Sequence, residues 1–207
     1  MIVETLAVGP LGCNCTVLGC PETGEAVVVD PGGDVAAIRE VLDRHNLKVK
    51  HLFHTHAHFD HVLGTGDLKA ARGGEILLHE GDRDLYENVP MQGRMFGMTL
   101  GSPPPVDRYV LDGEVLAWGR ESGAVVHTPG HTPGSICLHV GAAKLVLTGD
   151  TLFAGGIGRT DLWGGSFPEI MRSIHERLMS LDDETVVIPG HGELTTIGQE
   201  RVSNPFL

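Results

Sequence analysis

Basic residues are scarce in this sequence. The chain of 207 residues contains 15 Lys and Arg against 27 Asp and Glu, which gives a formal net charge of -12. Binding to a phosphate backbone needs clustered Lys and Arg, so this balance disfavours nucleic acid as a partner. A single basic residue in a cleft can still attract an acidic small molecule, because net charge describes the average field and not the local one.

Cysteine is also sparse. The four cysteines, Cys13, Cys15, Cys20 and Cys137, show neither C-x-x-C spacing nor the density of a disulfide scaffold. We interpret them as buried free thiols. The close spacing of Cys13 and Cys15 leaves a metal or redox role open.

Long apolar runs are absent as well. No run approaches the roughly 20 residues of a membrane-spanning helix, and the first residues lack the basic and apolar regions of a signal peptide. We therefore expect a cytoplasmic protein with no membrane partner. The length predicts a single domain over residues 1–207, and both a monomer and a homodimer remain open.

Strand and helix patterns alternate along the chain. Apolar alternation predicts strands at 2–8, 15–18, 26–29, 49–53, 75–79, 109–111, 125–126, 136–140, 145–147 and 185–188. Helical spacing predicts a helix capped by Asp34 and helices at 61–72 and 168–179. Two mixed sheets packed face to face, with helices on both outer sides, would bury these apolar faces, so we predict a four-layer α/β sandwich.

Residues 88–107 form the longest stretch without a clear pattern. This segment combines many Gly and Pro residues with Met91, Met95, Phe96 and Met98. Long loops inside a domain are typically functional, and the apolar side chains favour packing over a cleft. We predict a lid rather than a linker.

The strongest local signal is the stretch Thr55-His56-Ala57-His58-Phe59-Asp60-His61. Side chains two residues apart on an extended strand share a face, so His56 and His58 can bind one cation together. Asp60 and His61 then point to a second position as the chain turns into a helix. Short His-rich tracts typically bind metal, and this one predicts a pair of ions.

Three later glycine turns supply further candidate ligands. They contain His131 in T-P-G-H-T-P-G, Asp150 in T-G-D-T and His191 in P-G-H-G, and each follows a predicted strand. Turns that leave the strands of one core can converge at one edge. Together with the first stretch they provide five imidazoles and two carboxylates, a donor set suited to Zn, Fe or Mn.

The motifs T-H-x-H-x-D-H, P-G-H-T-P-G, T-G-D and P-G-H-G, in this order, resemble those of the metallo-β-lactamase superfamily. The resemblance implies an αββα sandwich and two divalent metal ions. It places His56, His58 and His131 on the first ion, Asp60, His61 and His191 on the second, and Asp150 between them. Asp60 and Asp150 are the candidate catalytic residues.

Further motifs are similar to the short, single-domain branch of the glyoxalase II family, the hydroxyacylglutathione hydrolases. These are G-D-T-L-F, G-R-T-D, R-M-F-G and the C-terminal G-E-L-T-T and N-P-F-L. The resemblance implies hydrolysis of an S-acylglutathione thioester of the S-lactoylglutathione type, with zinc as the first choice of metal. The longer glyoxalase II enzymes recognise glutathione largely through a C-terminal helical domain without a counterpart here, so we expect weak binding of the glutathione moiety.

Several assignments have alternatives. Arg159 is a candidate contact for a substrate carboxylate, but it can equally pair with Asp161 to hold its loop. Persulfide dioxygenases share similar motifs and use one Fe(II) at the equivalents of His56, His131 and Asp150, and a lactonase is a further alternative. His54 and His127 lie near the motifs, but the resemblance assigns neither of them to metal.

Overall fold

Two six-stranded β-sheets form the centre of the computed structural model, which describes residues 1–207. The first sheet contains, in spatial order, β1 (Ile2–Val8), β2 (Cys13–Gly19), β3 (Glu25–Val29), β4 (Lys48–Phe53), β5 (Glu75–His79) and β6 (Arg108–Val110). The second contains β7 (Val115–Trp118), β8 (Glu121–His127), β9 (Ile136–Val140), β10 (Leu145–Gly149), β13 (Val186–Pro189) and β14 (Thr195–Thr196), in the order β14-β13-β10-β9-β8-β7. The strands β11 (Leu152–Phe153) and β12 (Gly156–Ile157) form a separate hairpin.

Both large sheets are mixed. In the first sheet β1, β2 and β3 pair antiparallel, whereas β3 to β6 run parallel to one another. In the second sheet the parallel pair is β10 with β13, and the other neighbours are antiparallel. This arrangement confirms the predicted fold class.

Successive side chains along each strand point alternately to the core between the sheets and to the helices outside, which produces separate core layers. Val27 and Val29 of β3 point into the core between the sheets, while Val28 points to the outer helices. In β10, Leu147 faces the other sheet and Val146 faces the outer helix on its own side. Because successive side chains of a strand point to opposite faces, an unbroken apolar strand is buried on both sides.

Helices cover the two outer faces. Five helices cover the first sheet, and they are α1 (Val35–Arg44), α2 (Phe59–Val62), α3 (Thr65–Arg72), α4 (Arg83–Glu87) and α5 (Val89–Met95). Two later helices, α6 (Phe167–Ser173) and α7 (Ile197–Ser203), cover the second sheet. Ile38 and Leu42 of α1 are fully buried, as is Ile170 of α6. None of the helices is long and apolar enough to cross a bilayer.

The middle core contains residues from both halves of the chain. All four cysteines are buried and unpaired, as predicted.

The prediction of a loop at 88–107 is wrong in its first part. The helix α5 occupies Val89–Met95, preceded directly by α4, and only the following residues up to 107 lack regular structure. The glycines and prolines of this segment concealed the helix. Pro90 lies in its first turn, where a missing backbone N–H costs no hydrogen bond.

Two details of the predicted helices also differ. Asp34 does not cap α1 with its side chain, because its backbone is left-handed with a φ of 43° and its Oδ2 accepts from the N–H of Gly9 at 2.9 Å. The helix predicted at 61–72 is interrupted at Gly64, whose N–H donates to the carbonyl of Pro31 instead of continuing the helical ladder. Because of this interruption, α2 and α3 are two separate helices.

The predicted strand nearest the middle of the chain completes the first sheet. The strand predicted at 109–111 is β6, and it pairs with β5 at the edge of that sheet. The strand β7 and the helix α7 were not predicted, because β7 has only four residues and α7 contains few apolar residues.

Two glycines permit close approach of the loops that follow β3 and β12. A methyl group at Gly32 would lie 1.8 Å from the carbonyl oxygen of Asp60, and one at Gly158 would lie 1.8 Å from that of Asp150. The backbone at each position therefore presses directly against a candidate ligand residue, which only glycine allows.

We expect Gly32→Ala to lower the free energy of unfolding by at least about 2 kcal/mol, because the new methyl group overlaps backbone that cannot move freely. Gly101→Ala is the control, since a methyl group there meets no atom within 4 Å, and should change stability by less than about 0.5 kcal/mol. Urea unfolding of both variants measures the difference. Equal stability of the two would show that the contact at Gly32 is relaxed in solution.

Candidate metal centre

Seven predicted ligand side chains meet where four strands of the two sheets end. His56 and His58 follow β4, His131 follows β8, Asp150 directly follows β10 and His191 follows β13. Asp60 and His61 lie in α2, a single turn that begins directly after His58. The structure brings all seven together, as the spacing predicted.

Three imidazoles form the first group, defined by His56, His58 and His131. The Nδ1 atom of His58 lies 3.1 Å from Nε2 of His56 and 2.9 Å from Nε2 of His131. His56 and His131 are almost completely buried, and His58 is partly exposed to the cleft. The three rings thus aim one nitrogen each at a common point.

Asp60, His61 and His191 form the second group. The Nε2 atom of His191 lies 3.1 Å from Oδ2 of Asp60 and 3.2 Å from Nε2 of His61. His61 is fully buried, whereas His191 stands at the rim. Two nitrogens and one carboxylate oxygen again converge.

Asp150 lies between the two groups. Its Oδ2 is 3.5 Å from Nε2 of His131, and its Oδ1 is 3.5 Å from Nε2 of His61. Oδ1 is buried and has no hydrogen-bond partner. A buried carboxylate oxygen without a donor is costly, and a cation beside it removes that cost.

Hydrogen bonds on the far side of the rings fix the protonation of the imidazoles. Asp30 accepts from Nδ1 of His61 at 3.0 Å and from the hydroxyl of Thr55 at 2.6 Å. The Thr55 oxygen lies 3.1 Å from Nδ1 of His56 and, since its proton goes to Asp30, it accepts there. Nδ1 of His131 donates to the carbonyl of Arg159 at 2.8 Å.

The consequence is that His56, His61 and His131 all present a bare Nε2 lone pair to the centre. The lone pairs of neutral imidazoles repel one another at these separations unless a positive charge lies between them. The donor chemistry, the geometry and the unpartnered oxygen of Asp150 therefore fit divalent metal ions.

The pKa values agree with neutral imidazoles in the first group. Burial, reinforced by the neighbouring rings, lowers the pKa of His58 to about 3 and that of His56 well below its usual range. In the second group burial raises the pKa of Asp60, but the hydrogen bond from His191 and the neighbouring His61 and His191 rings outweigh it and lower the value to about 2. Asp60 is therefore a carboxylate at neutral pH.

Three polar residues that support the site were not predicted. Besides Asp30, Asp82 accepts from the N–H groups of Ala57 and Gly134 and from the hydroxyl of Thr132. The amide of Gln92 accepts from the N–H of Phe59 and donates to the carbonyl groups of Ala57 and Leu85. Only the position of Asp30, directly after a strand and before Pro-Gly-Gly, offered a signal.

Asn14 at the start of β2 holds the turn that carries His191. Its side chain donates to the carbonyl groups of Pro189 and Gly192, both at 3.0 Å, and its N–H donates to the carbonyl of Gly190 at 2.7 Å. A residue near the beginning of the sequence thus fixes a candidate ligand near its end.

The two histidines near the motifs that the resemblance did not assign to metal, His54 and His127, remain outside the groups. His54 is fully buried, bonds through Nε2 to Thr65 at 3.2 Å, and has its pKa lowered to about 4 by burial. His127 bonds to the carbonyl of Pro133 and stacks on His79.

Arg159 forms an ion pair with Asp161, which is one of the two roles predicted for it. Its Nε and Nη2 donate to the two carboxylate oxygens of Asp161, each at 2.8 Å. The side chain also lines the cleft over the metal-ligand groups, where more than half of it is exposed. A contact with a substrate carboxylate therefore remains geometrically open.

The sequence profile of the metallo-beta-lactamase superfamily matches residues 8–191, and the chain belongs to this superfamily. The resemblance inferred from the motifs is confirmed. Members of the superfamily are hydrolytic enzymes, and the His and Asp groups of this chain are able to bind metal.

Among individual proteins, the chain is similar to the hydroxyacylglutathione hydrolase GloC of Haemophilus influenzae. The two are 38% identical over 214 residues, which covers 100% of this chain and 98% of the relative. The crystal structure of the B3 metallo-beta-lactamase BLEG-1 superposes with a TM-score of 0.93 at 36% identity, covering 100% of this chain and 99% of that one. TTHA1623 in a di-iron-bound form gives a TM-score of 0.89 at 35% identity with both chains covered completely.

We expect the purified protein to bind two divalent ions per chain. Asp150→Ala should weaken both positions because its two oxygens face different groups, whereas His191→Ala should weaken mainly one. His54→Ala should leave the metal content intact. Elemental analysis after dialysis measures the three stoichiometries, and loss of the same single ion in the Asp150 and His191 variants would contradict the bridging role.

Asp30→Asn should weaken metal binding by about 10- to 100-fold, because the residue orients His61 and Thr55 from behind. Asp34→Asn is the matched control, since Asp34 lies four residues further on and bonds only to the N–H of Gly9. Competition with a chromophoric chelator gives both affinities. An affinity of the Asp30 variant within twofold of the control would argue against the orienting role.

Proposed function

We propose that the protein is a metal-dependent thioesterase that hydrolyses S-acylglutathione thioesters of the S-lactoylglutathione type. One observation carries this proposal. The ionisable side chains that line the cleft are His58, Asp60, His131, Asp150, His191 and Arg159, and all except Arg159 belong to the metal-ligand groups.

The cleft therefore has no spare general acid. The ion pair with Asp161 raises the pKa of Arg159, so this side chain retains its proton. A leaving group with a low pKa departs without receiving a proton, and a thiol has a pKa of about 8.5. An amine leaving group needs protonation, which disfavours amides and lactams as substrates.

In this proposal the seven side chains divide into the two sets that the family resemblance implies. His56, His58 and His131 hold one position, Asp60, His61 and His191 hold the other, and Asp150 spans both. Two divalent ions bound there would lower the pKa of water enough to supply a nucleophile at neutral pH and would polarise the thioester carbonyl.

The remaining residues orient the metal-ligand side chains and keep bulk water out of the centre. Asp30 and the carbonyl of Arg159 hold protons on the outer nitrogens of His61 and His131, which keeps Nε2 available. Apolar side chains of the cleft shield the centre from bulk water on the side of α5. The Arg159 guanidinium, held in place by Asp161, is positioned to attract a carboxylate of the thiol portion.

The metal is proposed to be zinc first, with iron or manganese as alternatives. A donor set of imidazole and carboxylate without thiolate accommodates each of them. The di-iron-bound form of TTHA1623 supports the iron alternative, and the similarity to GloC supports a thioester substrate.

The decisive experiment compares leaving groups on one acyl group. With S-lactoylglutathione, the matched oxygen ester and the matched amide, kcat/KM should fall sharply from thioester to amide, with the ester between them. We expect a high KM for S-lactoylglutathione. Controls include a β-lactam, a simple lactone, and oxygen uptake with glutathione persulfide.

Three outcomes would reject the proposal. One is the absence of thioester turnover, and the second is a lactone preferred by orders of magnitude. The third is oxygen uptake with a single iron per chain, which indicates a persulfide dioxygenase.

A further inference from the structure

The cleft above the metal-ligand groups is walled by apolar side chains. It encloses about 220 Å³ and is lined by 15 residues, of which 8 are hydrophobic. Two segments provide most of this wall, the region of α5 on one side and the loop after β12 on the other. The apolar side chains that line the cleft from these segments are Met91, Met95, Phe96, Leu162 and Trp163.

Several of these side chains are unusually exposed to solvent for large apolar groups. Met95 is 74% exposed, Phe96 55% and Trp163 54%. Large apolar side chains clustered at the mouth of a cleft indicate a binding surface rather than ordinary surface scatter. A ligand that covers them removes that apolar area from water.

Few polar side chains line the cleft. Apart from the metal-ligand groups, only Gln92 and Arg159 are polar among the lining residues. Both ends of the Gln92 amide are bonded to backbone, and Asp161 accepts from two of the five N–H donors of Arg159. Most of the wall therefore offers an acyl chain apolar contact only.

The apolar wall is also fixed relative to the metal-ligand groups. Gln92 ties α5 to the backbone of Ala57 and Phe59, which lie next to His56 and His58. The ring centroid of Phe96 is 5.1 Å from that of Phe59. An acyl chain placed with its carbonyl at the centre would run along this surface.

We propose that the cleft selects, among thioesters, those with a longer apolar acyl chain. This inference rests on the proposed thioester hydrolysis and extends it to the acyl group, whose apolar part would be covered by the wall of the cleft.

The first test uses thioesters of one neutral thiol, N-acetylcysteamine, so that only the acyl group varies. Each rate is divided by the rate of hydroxide hydrolysis of the same thioester, which removes differences in the intrinsic reactivity of the acyl groups. We expect the normalised kcat/KM to rise from acetyl through butanoyl to hexanoyl by about fourfold per methylene, the ratio that corresponds to burial of one CH₂.

The second test uses variants. Phe96→Ala and Trp163→Ala should flatten the chain-length dependence, measured in each variant as the ratio of the normalised kcat/KM for the hexanoyl thioester to that for the acetyl thioester. Phe206→Ala is the matched control, because Phe206 is similarly exposed, at 51%, and does not line the cleft. It should retain the wild-type dependence.

The third test measures binding without turnover. S-octyl N-acetylcysteamine, a thioether that cannot be hydrolysed, should shift the emission of Trp163 to shorter wavelength. The other tryptophan, Trp118, is fully buried and provides a constant background. The Phe96→Ala variant should bind the thioether at least about tenfold more weakly.

The outcomes separate the two proposals. If no thioester is hydrolysed, the proposed function fails, and the fluorescence titration alone then decides whether the cleft binds apolar chains. If thioesters are hydrolysed but the normalised rates are flat or fall with chain length, the apolar selection is overturned. Failure of the thioether to bind overturns it as well.

Discussion

The mutual repulsion of buried lone pairs is the constraint on which this structure depends. In the first group Nδ1 of His58 lies about 3 Å from Nε2 of both His56 and His131, and next to the second group Oδ1 of Asp150 is buried beside His61 without a donor. A folded chain tolerates this only where many other contacts hold the side chains in place and a cation balances them. Asp30 and Asp82, both buried, supply such contacts from behind. Asp30 bonds to Thr55 and to the ring of His61. Asp82 joins the same stretch, through Ala57, to the turn that follows His131.

The two sheets provide the rigidity that these contacts need. Strands of both sheets end at the centre, and the strict alternation of apolar residues fixes which face each strand presents. A shift of one residue in any of these strands would move its buried side chains to the opposite face. The ligand turns are therefore anchored by the packing of three core layers. Gly32 and Gly158 then allow backbone to press against Asp60 and Asp150.

Much of this arrangement is predictable from sequence because it depends on local patterns. Period-two apolar runs located most of the strands, and the histidine and glycine motifs identified the residues that converge. The supporting residues were harder to find. Asp82 and Gln92 act through hydrogen bonds to backbone groups 25 to 52 residues away, and no local pattern encodes such a partner. The helix α5 was hidden because Gly and Pro dominate its surroundings, and tertiary contacts from Gln92 stabilise it against weak local propensity.

The contact between Asn14 and the turn around His191 joins positions 175 residues apart or more. Closing so long a segment carries a large entropic cost before any contact compensates for it, and folds rich in such contacts form slowly. A chain emerging from the ribosome exposes His56 and His58 long before the turn that carries His191 exists. During synthesis the first half therefore holds an incomplete set of donors, and the full coordination sphere can assemble only when the turn after β13 has bonded to Asn14 near the start of β2.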